Sequence, residues 1–268
     1  MFFKGLFLLF YQPFQEEFGG KIFKEPFGFN LLGLSRKLDL GGTLNLLVAS
    51  IVWGFGHISG AHINPAVSLA FLANGHINLV RALFYIACQL IGSVLAALTL
   101  VELIPTHLYT SASSKNSIIN STLLRLKRES NSTKLPGENQ IFSSSVKYSN
   151  IGLTLLSDQI TPLQGYLVEV LITFVLLFTI FACIDKKRND LGGSFPLTIG
   201  FAVTVGALFG GKFTGGSMNP ARSFGPAFIN QNWSNHWIYW AGPITGAILA
   251  GFVYKFLSFG KKKIQKNH

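Results

Sequence analysis

The stretch Gly56-His57-Ile58-Ser59-Gly60-Ala61-His62-Ile63-Asn64-Pro65-Ala66-Val67-Ser68 is answered later in the chain by Gly211-Lys212-Phe213-Thr214-Gly215-Gly216-Ser217-Met218-Asn219-Pro220-Ala221-Arg222-Ser223. The two lie 155 residues apart, and at that offset Gly56 falls on Gly211, Gly60 on Gly215, Asn64-Pro65-Ala66 on Asn219-Pro220-Ala221, and Ser68 on Ser223. Each copy closes one hydrophobic run and opens a shorter one. Asn is a favoured N-cap and Pro is tolerated at the first helical position, so each copy reads as a helix start. One copy alone would be no more than a cap. Two, each followed by a segment too short to span a bilayer, point to a site built between two halves of the chain.

Composition sets the surroundings of that pair. The 268 residues are 49% hydrophobic and 12% charged, with 25 Phe and 28 Gly. That is roughly half the charge of an ordinary soluble domain, and Phe with Gly suits packed membrane helices. An integral membrane protein follows. The net charge of +11 is read as topology, because Lys and Arg gather in cytoplasmic loops and contact anionic lipid. No basic stripe with exposed aromatics suggests a nucleic-acid partner. The two cysteines, Cys88 and Cys183, sit in apolar runs without metal or disulfide spacing and are read as buried free thiols. No cofactor, metal cluster, nucleophile–base pair or phosphate loop is apparent, so an enzyme reading has no support.

Residues 1–104 form the first half. Met1 to Phe14 is too short to span, and Glu16, Glu17, Lys21, Lys24, Glu25 and Pro26 interrupt the adjoining segment, so a first helix has little support. Leu40 to Ile58 fits a span, Ala66 to Asn74 gives a short helix, and Arg81 to Ile104 is the next full run. In that run Cys88, Gly92 and Ala96 put small residues on one face. Residues 105–162 form a long, flexible exoplasmic loop with six Lys or Arg and two glycosylation sequons, at Asn120 and Asn131. Residues 163–258 form the second half. It comprises an apolar span to Ile184 carrying Glu169, a basic loop at 185–190, a span to Gly211, a short helix at Ala221–Ile229 and a last helix. Trp237, Tyr239 and Trp240 open that helix as an aromatic belt, and Gly242 and Gly246 offer a close-packing face. The basic tail, 259–268, belongs with the 185–190 loop in the cytoplasm. These sides give the two halves opposite orientation, an inverted repeat whose short helices meet at the midplane.

Two helix N-termini facing each other, each bearing about half a positive elementary charge, would repel a cation or proton passing between them. Asn64 and Asn219 would donate hydrogen bonds to a neutral molecule there, and the Gly- and Ala-rich backbone before each cap would line a polar track with carbonyls. Arg222 fits two readings, a donor at a constriction or a side chain reaching the outer interface. Glu169 is expected to accept hydrogen bonds from the unwound backbone. His57 and His62 fit pore lining and local backbone bonding equally.

At these residues the sequence resembles the aquaporin, or major intrinsic protein, family. His57 to Val67 is similar to its first signature loop, Asn219 to Gly225 to its second, and Asn235 to Pro243 to the entry of its last helix. The resemblance implies an all-α membrane fold, a right-handed bundle of six spanning helices plus two half-helices. It further implies a homotetramer with one pore per subunit, passive bidirectional transport and an address in the plasma membrane with both termini inside. It puts Arg222, Gly216, Ala207 and Leu44 in the outer filter, and makes Glu17 the counterpart of Glu169. Ala207 stands where strict water channels carry His, so the filter is expected to be wide enough for water, glycerol or urea. Ser223, Ala227, Tyr239 and Trp240 are similar to the water-channel branch. The rival expectation, prompted by the irregular front, is a non-conducting relative with a structural or adhesive role.

Overall fold

The computed structural model describes residues 46–103, 152–188 and 193–264. Glu17, Leu44, Asn120, Asn131, the first predicted helix and most of the long loop lie outside the described residues. Seven helices are present among those described. They are α1 (Leu46–Ser59), α2 (Pro65–Ala73), α3 (Leu79–Leu103), α4 (Pro162–Ile184), α5 (Phe195–Gly210), α6 (Pro220–Asn230) and α7 (Ile238–Ile264). No strand occurs among the described residues.

Four of these helices begin on a side-chain cap with proline in the first turn. Asn64 caps α2, Thr161 caps α4 in a reciprocal pair with Gln164, Ser194 caps α5 and Asn219 caps α6. The cap satisfies orphan N–H groups that lipid cannot, and proline sits where no N–H is needed. Helices α3, α4 and α7 are long and apolar enough to cross a membrane. Large apolar side chains such as Phe84, Phe201 and Phe252 project outward from α3, α5 and α7. In water such a surface would aggregate, whereas against lipid it is the expected solvent face.

The short helices behave differently. At about 1.5 Å per residue, the nine residues of α2 and the eleven of α6 each cover about half of a 30 Å hydrocarbon layer. Each packs on a long helix of the opposite half, α2 against α7 and α6 against α3. A side chain at Gly225 of α6 would run into Ser93 of α3, and one at Gly251 of α7 would run into Asn74 at the end of α2. The halves are therefore interlocked. Gly242 and Gly246 bring α7 against α4, where an added Cβ at Gly246 would lie 3.0 Å from the Phe174 nitrogen. The core between these elements is made of Val67, Ile172, Leu177, Phe181, Val203 and Met218 with their neighbours.

Four expectations need correction. Cys88 is exposed, and Cys183 alone is buried, because an apolar run in a membrane helix has a lipid face as well as a core face. Tyr239 is fully buried, and its hydroxyl donates to the Thr214 carbonyl at 2.9 Å, so it belongs to the core; Trp237 remains exposed. The end of the long loop is packed. Leu153 and Thr154 are buried, and Ser157 N–H donates to the Phe213 carbonyl at 2.8 Å. The last helix also continues through the predicted boundary at 258, to Ile264.

Candidate functional site: two helix N-termini held face to face

The repeat read from the sequence extends to the backbone angles. Gly60 and Gly215 take φ of 78° and 79°, Ala61 and Gly216 take 45° and 58°, and Ile63 and Met218 take 47° and 53°. Left-handed backbone costs a non-glycine residue about 1–2 kcal/mol, so each loop needs bonds that hold it. The asparagines supply them. Asn64 Oδ1 accepts from Ala66 N–H at 2.8 Å, and Asn219 Oδ1 accepts from Ala221 N–H at 3.0 Å and Arg222 N–H at 3.3 Å. Each amide nitrogen then reaches across. Asn64 Nδ2 donates to the Met218 carbonyl at 2.7 Å, and Asn219 Nδ2 donates to the Ile63 carbonyl at 3.1 Å. The residue before each cap thus accepts from the other cap, which brings the two helix starts together.

This pairing leaves polar groups over. An asparagine Nδ2 has two hydrogens, and the second on each has no partner among the described residues. Nor does any hydrogen bond among them reach the carbonyls of Gly60, Ala61 and His62, or of Gly215, Gly216 and Ser217. Buried backbone polar groups are nearly always paired, with water if not with protein. The two asparagine donors and the carbonyls of Ala61, His62, Gly216 and Ser217 belong to buried residues, and their concentration at this junction therefore marks a wetted place.

Around the junction, one side-chain motif recurs. His62 Nδ1 lies 3.2 Å from Ser68 Oγ, and Ser217 Oγ lies 2.6 Å from Ser223 Oγ. The Ser68 hydroxyl donates to the Asn64 carbonyl at 3.2 Å, and the Ser217 hydroxyl to the Asn219 carbonyl at 3.0 Å. The supports beyond this differ. On the second loop Glu169, fully buried, accepts from Thr214 Oγ1 at 2.6 Å, Ser217 N–H at 2.9 Å and Met218 N–H at 2.8 Å. A desolvated carboxylate is tolerable only with such donors around it. On the first loop Gln89 Nε2 donates to Ser68 Oγ at 3.1 Å.

Arg222 Nη1 donates to the Gly152 carbonyl at 3.0 Å, so the guanidinium is turned toward the returning loop segment. Thr154, two residues on, donates to Ser223 at 2.7 Å. Gly216 is buried against α5, where an added Cβ would lie 3.1 Å from the Ala207 Cα. The two positions therefore abut through bare backbone. His62 is buried and its ring meets those of Phe71 and Tyr85, at centroid distances of 4.4 and 5.2 Å. His57 is exposed and borders a cavity of about 490 Å³, together with Val52, His62, Asn64 and Val203. No group of His, Cys, Asp or Glu suited to a metal occurs among the described residues.

A family model described as major intrinsic protein matches residues 40–254. The chain belongs to the major intrinsic protein family. Human aquaporin-4 is 39% identical over 243 residues, which cover 85% of this chain and 63% of that protein. The lens fiber major intrinsic protein of Lithobates pipiens is 36% identical over 252 residues, covering 92% and 81%. The chain thus spans somewhat under two thirds of the length of the aquaporin-4 relatives it matches. The X-ray structure of the aquaglyceroporin from Plasmodium falciparum superposes with a TM-score of 0.64 at 19% identity, covering 94% of this chain and 92% of that one. The aquaporin-like, all-helical fold and a multi-pass integral membrane protein follow from these matches together with α3, α4 and α7.

Sequence reasoning missed Gln89, Ser93, Thr154, Thr214 and the core role of Tyr239. Gln89 and Ser93 carried a usable signal. They are polar residues one helical turn apart in an apolar span, and such residues turn inward toward partners. Ser93 Oγ donates to the Ala221 carbonyl and accepts from Gly225 N–H at 3.0 Å. Thr154 carried none, since it lies in a loop without periodicity.

Proposed function

We propose that the chain is a channel for passive, bidirectional movement of water and small uncharged solutes such as glycerol or urea, with ions and protons excluded. The observation that carries this reading is the junction of α2 and α6. Its two amide hydrogens and six carbonyls without a partner among the described residues offer donors and acceptors to a file of small hydroxylic molecules. The two N-terminal dipoles converge there and oppose any cation. Asn64 and Asn219, set by Pro65-Ala66 and Pro220-Ala221, act as the central donors. Glu169 keeps the second loop open, a part Glu17 would play for the first. Arg222, Ala207, Gly216 and Leu44 form the outer filter. Ala207 and Gly216 present little bulk and no side-chain donor, which favours solutes larger than water. His57 and His62 line the inner approach.

On this reading the protein assembles as a homotetramer with one pore per protomer. It lies in the plasma membrane with both termini cytoplasmic, with lipid around the exposed apolar faces. Asn120 and Asn131 are glycosylation sites on the exoplasmic loop.

The test is reconstitution into vesicles under two gradients. An osmotic step should drive volume change well above that of empty vesicles, and isotonic glycerol or urea should drive swelling. Rates equal to empty vesicles in both arms would end the channel reading. Ala207→His should cut glycerol uptake more than water flux, because it adds bulk and a donor at the filter. Equal effects on both would remove Ala207 from it.

A further inference from the structure

The cavity beside His57 has mainly apolar walls. A second cavity, of about 740 Å³, adjoins it on the side of the 185–188 turn and is lined differently. Arg81 of α3, Lys186 and Lys187 after α4, and Lys255 of α7 all border it, with His76 from the α2–α3 turn. Among the described lining residues the one carboxylate is Asp185. It is already engaged, accepting from the Tyr254 hydroxyl at 2.8 Å and Lys187 N–H at 3.0 Å. Leaving Lys187 out of the balance, Arg81, Lys186 and Lys255 still outnumber the one carboxylate among the described residues facing this concave volume. Basic loops are expected on one side of any membrane protein, but that tendency does not make a turn and two separate helices converge on a shared cavity. Convergence inside low-dielectric walls focuses positive potential.

We propose that this cavity binds a polyphosphorylated anion and that the occupant obstructs the approach to the first Asn-Pro-Ala loop. The volume lies within the range of about 300–1,000 Å³ usual for small-molecule sites, too large to be filled by a single phosphate. Arg81 suits bidentate phosphate pairing, and the lysines serve as point charges. The obstruction follows from shared walls, since Gly60, His62, Phe71 and Ile184 border both cavities. Only this second half of the proposal rests on the channel reading. Two sources offer the chemistry, a phosphoinositide headgroup in the adjoining leaflet or a free inositol polyphosphate.

The experiment has a binding arm and a flux arm, both on the full chain. Calorimetric titration of the purified protein with inositol hexakisphosphate should show saturable binding that weakens as salt is raised. Arg81→Gln and Lys255→Gln, read separately in case one fails to fold, should each weaken it about five- to tenfold, and Lys255→Arg should restore it. In the flux arm, water permeability is compared in vesicles with phosphatidylinositol 4,5-bisphosphate, in plain vesicles, and in plain vesicles loaded with inositol hexakisphosphate. A fall in the first alone assigns the lipid source, and a fall in the third alone the soluble one. No binding in the titration together with no fall in either vesicle overturns the site, as does binding unchanged in both glutamine variants. Binding without any water flux, even in plain vesicles, leaves the site standing and sinks the channel reading.

Discussion

In the second Asn-Pro-Ala loop, a fully buried carboxylate from a neighbouring helix takes two backbone N–H groups and a threonine hydroxyl. In the first, the helix-borne support described is uncharged, the Gln89 amide on Ser68 and the Tyr85 hydroxyl on the Ser59 carbonyl at 2.8 Å, while the paired backbone angles agree within about thirteen degrees. Two loops of one shape are therefore held by unequal means. The side-chain pairs His62–Ser68 and Ser217–Ser223 and the asparagine cross-bonds belong to the shared design. The carboxylate, and Arg222 where the first loop has Val67, belong to the second loop alone among the described residues. The lesson is that the repeat encodes the backbone, while the buried charged groups that hold it are placed in the second half.

The largest expected break in that comparison is Glu169→Gln. Its NH2 would replace one of the two acceptor oxygens and face either the Ser217 or the Met218 N–H group, leaving a buried donor unpaired at a cost of about 3 kcal/mol. Thermal unfolding in detergent should show a large drop in midpoint. Next come Asn64→Ala and Asn219→Ala. Each removes a cap and a cross-loop bond, together about 2 kcal/mol. The two losses should be nearly equal despite the unequal supports, and the double variant should be non-additive, because both bonds join the same pair of loops. Additive losses would mean that the loops are held independently.

Gln89→Leu should be milder, about 1 kcal/mol or less. It gives up the bond to Ser68 but also removes Oε1, which is buried without a partner among the described residues. A loss as large as that of Glu169→Gln would erase the asymmetry. The smallest effect is at the edge of the second half. The Lys187 backbone N–H, with help from the Tyr254 hydroxyl, holds the Asp185 carboxyl below its usual range. A lowered folded pKa contributes stability above the unfolded value of about 3.9, and loses it as pH falls through the folded one. Asp185→Asn should therefore change unfolding slightly at pH 7 and not at all once the pH lies below the folded value.

Much of this was legible in the residues. The Asn-Pro-Ala pair, the short segments after it and Glu169 in an apolar span each break a simple membrane pattern, and breaks of that kind mark sites. The cross-bonds were not legible, because which carbonyl an asparagine reaches depends on how two distant loops dock. The burial of Tyr239 was hidden for a related reason. An aromatic at a helix entrance reads the same whether it faces lipid headgroups or the neighbouring loop, and only Thr214 across the gap decides it. Cys88 misled because apolar neighbours in a membrane helix do not tell the core face from the lipid face. The packed end of the long loop was missed because Gly152 and Thr154 gain meaning only beside Arg222 and Ser223.

Everything proposed for the junction comes down to neutral molecules, and not ions, passing between the two facing helix starts. Water flux and a pH gradient can be followed together in the same reconstituted vesicles after an osmotic step. Rapid volume change is expected, while the gradient decays no faster than in empty vesicles. Volume change at the rate of empty vesicles, or a gradient that collapses along with the water flux, would contradict it.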